Sequence, residues 1–190
     1  MNQRPRPDTA MRPGGRYSLT AQALHWLTAA LMFTVLPVAW VMVSLPEAAH
    51  SRGVLFTIHK SVGLSVLALV AIRLAWRVRH PAPPLEKGLA AWEKRLAFAS
   101  HWILYAILVG MPLSGYLLDA AGGYPISYFG LFSVPILPKS PTVANAATWM
   151  HVVVGQWLVY ALVTLHLAAS VWHVAVRRDG VLNRMLPEQK

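Results

Sequence analysis

Four long stretches of the chain are rich in apolar residues and nearly devoid of charge. Tyr17–Pro46, Leu96–Leu118 and Ser140–Val176 contain no Asp, Glu, Lys or Arg, and Gly53–Ile72 contains only Lys60. Each stretch supplies the roughly 20 residues with which an α-helix crosses a bilayer, and none shows the alternation of a membrane β-strand. The pattern predicts four membrane-spanning helices, at about Leu19–Leu45, Val54–Trp76, Leu96–Leu118 and Thr148–Val176.

The segments outside these helices differ in character. We expect residues 1–16 to form a flexible basic tail, residues 17–187 to form one transmembrane domain, and residues 188–190 to form a short C-terminal tail. Ala120–Asn145 contains four prolines and several aromatic residues, which favours a segment lying at the membrane interface. The expected fold class is an all-α membrane protein, a four-transmembrane-helix bundle.

The composition supports a membrane protein and excludes several kinds of chemistry. Charged residues make up 13% of the 190 residues and hydrophobic residues 56%, whereas soluble domains carry about a quarter charged residues. The chain contains no Cys, which excludes disulfides, thiolate metal sites and thiol catalysis. No Ser-His-acid spacing and no Gly-rich phosphate loop is visible. A hydrolase or a nucleotide-binding protein is therefore not indicated.

The net charge of +10 is distributed unequally between the two sides of the predicted membrane. Cytoplasmic loops of membrane proteins carry an excess of Lys and Arg, so both termini are predicted to be cytoplasmic. Because the charges separate apolar blocks, they indicate topology rather than binding to nucleic acid. The cytoplasmic side would hold Arg4, Arg6, Arg12, Arg16, Arg73, Arg77, Arg79, Lys87, Lys94, Arg95, Arg177, Arg178, Arg184 and Lys190, and the periplasmic side only Arg52, Lys60 and Lys139.

Four of the eight histidines are predicted to pair at two depths in the membrane. His25 and His166 fall near the cytoplasmic face, and His59 and His151 near the periplasmic face. His151 and His166 are 15 residues apart, which is about 22 Å of helix and roughly 60° more than four turns. Two imidazoles from different helices can bind one iron atom from both sides. Haem fits better than zinc, which takes three or four protein ligands.

The remaining histidines are assigned from their positions alone. His101 is expected to open the third helix and His173 to lie one heptad after His166, both towards the cytoplasmic face. They could replace the assigned cytoplasmic pair, border a quinone pocket or lie at the interface; the quinone pocket is the interpretation we favour, because ionisable groups in membranes often mark function. His50 and His80 are expected in solvated loops.

Several short motifs place the chain close to a known family. Over about Tyr17–Pro187 it resembles the bacterial cytochrome b561 family of small four-helix membrane proteins with two haems, and within it the superoxide oxidase type. The matching segments are Ala23-Leu-His-Trp26, Ile58-His-Lys-Ser-Val-Gly63, His101 with Met111-Pro-Leu-Ser-Gly115, Trp149-Met-His151, Leu165-His166, His173 and Arg184-Met-Leu-Pro187.

The resemblance implies specific cofactors and partners. It implies two haem b groups with His25, His59, His151 and His166 as axial ligands, electron transfer from superoxide to ubiquinone, and residence in the bacterial inner membrane. Superoxide is an anion that positive charge would attract. Arg52, Lys60 and Lys139 are therefore hypothesised to form a steering patch, although isolated surface charges often contribute little.

Two other functions remain open from the sequence. The chain could be a haem b relay subunit docked on a hydrogenase or another dehydrogenase, with the same cofactors and a partner subunit. It could also be a cofactor-free transporter or a structural membrane protein, but the matched histidines would then be unexplained.

Overall fold

The computed structural model describes residues 15–85 and 88–187 and has four long apolar helices able to cross a membrane, as the sequence predicts. The first three are α1 (Leu19–Ser44), α2 (His50–Arg79) and α3 (Ala91–Gly122). The fourth span, Pro141–Arg177, consists of α4 (Pro141–Thr148), a π-helical turn (Trp149–Gly155), α5 (Gln156–Trp172) and a second π-helical turn (His173–Arg177). Residues 1–14 of the expected basic tail and residues 188–190 lie outside the described part of the chain. A 3₁₀ turn at Leu182–Met185 follows the fourth span.

Local signals explain where the helices begin and end. The Ser18 side chain caps α1 by accepting a hydrogen bond from the Ala21 N–H at 3.3 Å, and Ser140 caps α4 with Pro141 in the first turn, where a proline costs no hydrogen bond. Helix α3 ends at Gly122 and is followed by the capping residue Gly123, whose φ of 79° is a left-handed conformation that glycine adopts without strain. Helices α2, α3 and the fourth span each extend beyond the predicted limits, because their polar ends continue the helix past the apolar stretch.

The helices pack in sequence order. Helix α1 lies against α2, α2 against α3, and α3 against the fourth span, while Trp40 of α1 donates a hydrogen bond to the Tyr160 hydroxyl of α5. Val66, Val70 and Tyr105 form the small buried core between the first three helices. Large apolar side chains such as Trp157 are exposed on the outside, as lipid contact requires. We call the end where α1 begins and the fourth span finishes the basic end, and the opposite end the hairpin end.

The hairpin end is covered by two short strands that the sequence did not predict. β1 (Ile126–Tyr128) pairs antiparallel with β2 (Phe132–Val134), and Ile126 is buried against the helices. The fully buried Ser61 of α2 accepts a hydrogen bond from the Phe129 N–H at 2.7 Å. The Ala120–Asn145 segment is therefore anchored on α2 instead of being only an irregular interfacial loop.

The π-helical turn at Trp149–Gly155 changes which way the fourth span faces. A π-helix closes i→i+5 hydrogen bonds and needs more residues per turn than an α-helix. The turn contains His151, whose distance of 15 residues from His166 would leave the two side chains about 60° apart in a continuous α-helix. The wider turn reduces this angle and brings both histidines towards the same face of the span.

At the basic end, Arg184 ties three parts of the chain together. Its guanidinium donates hydrogen bonds to the Gly15 carbonyl at 3.0 Å and to the Pro84 carbonyl at 2.6 Å. The Arg184 carbonyl accepts from the Tyr17 N–H at 3.1 Å, and Trp26 donates to the Met185 carbonyl at 2.7 Å. Arg184 is only 6% exposed, so these contacts fix the C-terminal segment across the start of α1.

Arg184→Gln should lower the stability of the protein. A hydrogen bond to a charged group contributes about 1.5–3 kcal/mol, and the Gly15 and Pro84 carbonyls would lose their donor. We expect an earlier thermal unfolding transition by circular dichroism in detergent than for the wild type. Arg79→Gln, at an exposed position in the last turn of α2, is the matched control and should unfold with the wild type. Equal transitions for all three proteins would contradict the role given to Arg184.

Candidate functional site

Two histidines from different helices meet at the hairpin end. The rings of His59 in α2 and His151 in the fourth span have their centres 6.1 Å apart and are nearly perpendicular. His151 Nδ1 lies 2.9 Å from the Met111 carbonyl and 3.2 Å from Ser114 Oγ. A carbonyl accepts the proton of Nδ1, which leaves Nε2 of His151 as the nitrogen able to bind a metal.

A glycine of α3 makes room for the His151 ring. A Cβ added at Gly115 would lie 2.9 Å from Cε1 and 3.2 Å from Nδ1 of His151, closer than carbon atoms approach without displacement. The Met111-Pro-Leu-Ser-Gly115 segment thus contributes the carbonyl that orients the ring and the space that the ring occupies.

Three histidines meet at the basic end. The ring centres of His25 and His166 are 6.2 Å apart, and those of His101 and His166 are also 6.2 Å apart. Nδ1 of His101 lies 2.5 Å from the Ala97 carbonyl, and Trp26 packs edge-on against His25 at 5.2 Å. His166 therefore has two histidine neighbours at the same spacing.

The two histidine levels fit a metal held between opposed imidazoles. With a metal–nitrogen bond of about 2 Å on each side, two such rings have their centres roughly 6 Å apart. The Nδ1 atoms of His25 and His59 are buried without a hydrogen bond to the described residues, although the Val35 backbone lies near His59. A metal bound at Nε2, as argued for His151, would leave these Nδ1 atoms unchanged, so the fit rests on the spacing of the paired rings.

The two glycines that follow the hairpin-end histidines by four residues behave differently. A Cβ at Gly63 would meet no atom within 4 Å, so there is open space beside Gly63, one helical turn from His59, that a planar group could occupy. A Cβ at Gly155 would collide with the Met111 sulfur, so this glycine serves helix packing. Among the described residues, no three His, Asp or Glu side chains cluster as they would around a bare metal ion.

Several of the remaining histidines differ in placement from expectation. His101 does not open α3, which begins at Ala91, but lies well inside it beside His166. His173 is separate from His101 and donates a hydrogen bond from Nδ1 to Asp179 at 2.6 Å. His50 is the first residue of α2 instead of a loop residue. His80 follows α2 directly and stacks on Trp76 with ring centres 3.9 Å apart.

The three basic residues of the predicted steering patch lie near the hairpin end, two of them beside carboxylates. Lys60 Nζ is 2.9 Å from Asp119 Oδ2, and Arg52 is 3.7 Å from the exposed Glu47 carboxylate. The side chain of Lys139 crosses Gly123 at the end of α3. The net positive charge of these three basic residues and two carboxylates is therefore much smaller than that of the basic residues alone.

Sequence reasoning assigned no site role to the acidic partners or to the partly buried Arg73. Asp119 is only 8% exposed, and Asp179 accepts from His173 and lies 3.5 Å from Arg177. Arg73 of α2 contacts the Tyr105 ring and lies within electrostatic range of His25, His101 and His166. A signal was present for both Asp119 and Arg73, since each directly follows one of the long apolar stretches.

The comparisons with known proteins agree with this arrangement. A family model described as prokaryotic cytochrome b561 matches residues 16–188. Cytochrome b561 homolog 2 of Escherichia coli (strain K12) is 32% identical over 172 residues, 90% of this chain and 91% of the relative. A probable superoxide oxidase, CybB, of Yersinia pestis is 25% identical, covering 92% of this chain and 98% of the relative.

A further relative, cytochrome b561 homolog 1 of Escherichia coli (strain K12), is 26% identical over 179 residues, 92% of this chain and 99% of the relative. The match to the family model extends over nearly all of the transmembrane region, including every paired histidine. The chain therefore belongs to the prokaryotic cytochrome b561 family, whose members are multi-pass membrane proteins that bind haem b and transfer electrons.

Proposed function

We propose that the protein is a dihaem cytochrome of the bacterial inner membrane that transfers electrons from periplasmic superoxide to ubiquinone. The observation that carries this proposal is the presence of paired imidazoles at both ends of the bundle, His59 with His151 and His25 with His166. The basic end would be cytoplasmic, since cytoplasmic segments are enriched in Lys and Arg. Two superoxide anions would yield two molecules of oxygen and two electrons, and one quinone would take up two electrons and two protons to form quinol.

The protein supplies the positions of the axial ligands. Held between two imidazoles, a haem would supply one-electron transfer instead of oxygen binding. The Met111 carbonyl holds the His151 ring, and the hairpin anchored on Ser61 covers the same end. His25 and His101 are both neighbours of His166. We propose His25 as the second ligand of the basic-end haem, because α1 then contributes a histidine to that site as α2 does to the hairpin-end site.

On the donor side, charge would control the approach of superoxide. Lys60 directly follows the ligand His59, and Asp119 is bound to it at 2.9 Å. The relative named as a probable superoxide oxidase supports superoxide as the donor. We propose that Lys60, with Arg52 and Lys139, attracts the anion, and that Asp119 moderates this attraction.

Lys60→Gln should slow the reduction of the protein by superoxide, and Asp119→Asn should accelerate it a few-fold, because electrostatic steering follows the local charge. The measurement is the rate of haem-band change in stopped flow at several salt concentrations. Both differences should shrink as salt rises, since the Debye length falls from about 30 Å at 0.01 M to about 8 Å at 0.15 M. Differences independent of salt, or a slower Asp119→Asn protein, would contradict steering.

On the quinone side, His173 and Asp179 form a pair suited to proton transfer. Partial burial alone would raise the pKa of Asp179, but the hydrogen bond from His173 and the positive charge of Arg177 hold it below its ordinary value. The ionised carboxylate fixes the His173 ring through Nδ1 and leaves Nε2 able to pass a proton to a quinone oxygen. His101 lies beside His166 and is proposed as the second residue bordering the quinone.

Asp179→Asn should slow the oxidation of the reduced protein by ubiquinone and leave its reduction by superoxide unchanged. The amide keeps a hydrogen-bonding group near His173 but removes the negative charge that lies beside its ring. The two half-reactions are followed separately in stopped flow, at pH values from 6 to 8. Equal slowing of both half-reactions would show a general structural effect instead of a role in proton delivery.

The complete function is tested by mixing the purified, quinone-loaded protein with superoxide while the haem bands are recorded. The expected result is rapid reduction of haem followed by reoxidation, with quinol formed at half the amount of superoxide consumed. A protein that contains haem but is not reduced by superoxide would overturn the assignment of the donor. Absence of b-type bands after full haem loading would overturn the electron-transfer function itself.

A further inference from the structure

Two arginines in the last turns of α2 lie against aromatic residues of α3. The Arg73 guanidinium is 5.3 Å from the centre of the Tyr105 ring, and the Arg77 guanidinium is 5.7 Å from the same ring and 6.0 Å from that of Trp102. Residues four apart share one face of a helix. Both arginines border a cleft together with Tyr17 and Trp76, and Tyr105 belongs to the buried core.

The depth of Arg73 in the bundle matches that of the basic-end histidines. Arg73 follows His59 by 14 residues, which is about 21 Å along α2 and close to four complete turns. It therefore faces the same broad side of the bundle as His59, at the opposite end. Its charge is within electrostatic range of His25, His101 and His166, at the end of the bundle where we propose the second haem.

No carboxylate in the described parts of the chain, residues 15–85 and 88–187, pairs with either arginine. The four described acidic residues are engaged elsewhere. Glu47 pairs with Arg52, Asp119 with Lys60, Glu93 with Arg177, and Asp179 with both His173 and Arg177. A cation within a membrane bundle is costly unless it has a partner, and the weak attraction of an aromatic ring does not replace an anion.

We propose that Arg73 and Arg77 bind the propionate carboxylates of the haem held at the basic end. This inference rests on the proposed function, which places a haem between His25 and His166. Arginine binds carboxylates through two parallel hydrogen bonds, and Arg73 lies on the histidine side of α2, against the core residue Tyr105. The phosphate of an anionic lipid has related chemistry, but it would be reached from the outer surface of the bundle.

The test compares haem b with its dimethyl ester, in which both carboxylates are uncharged. The full-length protein carrying His59→Ala and His151→Ala, produced without haem, retains only the basic-end site and is titrated with each compound. We expect haem b to bind about tenfold more tightly than the ester, since hydrogen bonds between charged groups are the strong ones. In the same background Arg73→Gln should reduce this preference, with Arg77 still in place, and Arg79→Gln should preserve it.

The outcomes separate the inference from the function on which it rests. Equal binding of haem b and its ester by the Arg73-containing protein would overturn the inference, whether or not the Arg73→Gln protein folds. An unchanged preference in a folded Arg73→Gln protein, accompanied by loss of co-purified anionic lipid, would also overturn it and assign the arginine to a lipid phosphate. Failure of the wild-type protein to bind any haem would overturn the proposed function instead.

Discussion

Replacing His59 with alanine should remove one of the two proposed haems and leave the other in place. The paired residue His151 would keep its hydrogen bond to Met111 but would have no imidazole opposite it, since His59 is its ring partner at 6.1 Å. His25→Ala should likewise remove the basic-end haem. Each single variant should contain about half of the wild-type haem per protein, measured as the pyridine complex, because the two sites use different ligands.

His50→Ala is the matched control for these variants. His50 lies on the same helix as His59, at its first residue, and is not among the paired rings. Its haem content should equal that of the wild type. Loss of both haems in the His59 variant would indicate that the two sites fold together, and retention of both would show that His59 is not a ligand.

Gly115→Ala should also empty the hairpin-end site, although it removes no ligand. The added Cβ would lie 2.9 Å from the His151 ring, so the ring must move. That movement breaks the hydrogen bond to the Met111 carbonyl at 2.9 Å. Loss of a contact that orients a metal ligand lowers metal affinity by about 10- to 100-fold. The expected result is loss of one haem with little change in helix content.

Gly110→Ala provides a control on the same helix. Gly110 is exposed, and a Cβ there would meet no atom within 4 Å. Alanine favours a helix over glycine by about 1 kcal/mol, so this variant should be at least as stable as the wild type and retain both haems. Equal haem content in the Gly110 and Gly115 variants would show that the close approach to His151 is not required for binding.

Much of the architecture follows from the sequence because membrane insertion depends on local composition. A helix in lipid satisfies its own backbone, so the four long, nearly uncharged stretches were sufficient to predict four spans. The depth of each histidine also follows from its position in a span, because rise per residue is constant. The pairing of His59 with His151 by depth agrees with the ring contact in the structure.

Other features depend on contacts between distant residues. The hairpin is held by Ser61 across 68 positions, and its strands are too short to give a pattern of their own. The equal spacing of His25 and His101 from His166 depends on how α1 and α3 rotate about their axes, which composition does not determine. The ion pair of Lys60 with Asp119 likewise requires α2 and α3 to be adjacent.

The sequence by itself determined the number of spans, their asymmetry of charge and the histidine levels, because each is a property of a single helix in lipid. Only the tertiary structure decided which side chains meet: the ring of His151 against Gly115, the carboxylate beside Lys60, and Arg73 directed at Tyr105 near the basic-end histidines. These contacts come from helix packing and from the π-helical turn in the fourth span, where local hydrogen bonding alters the facing of every residue that follows.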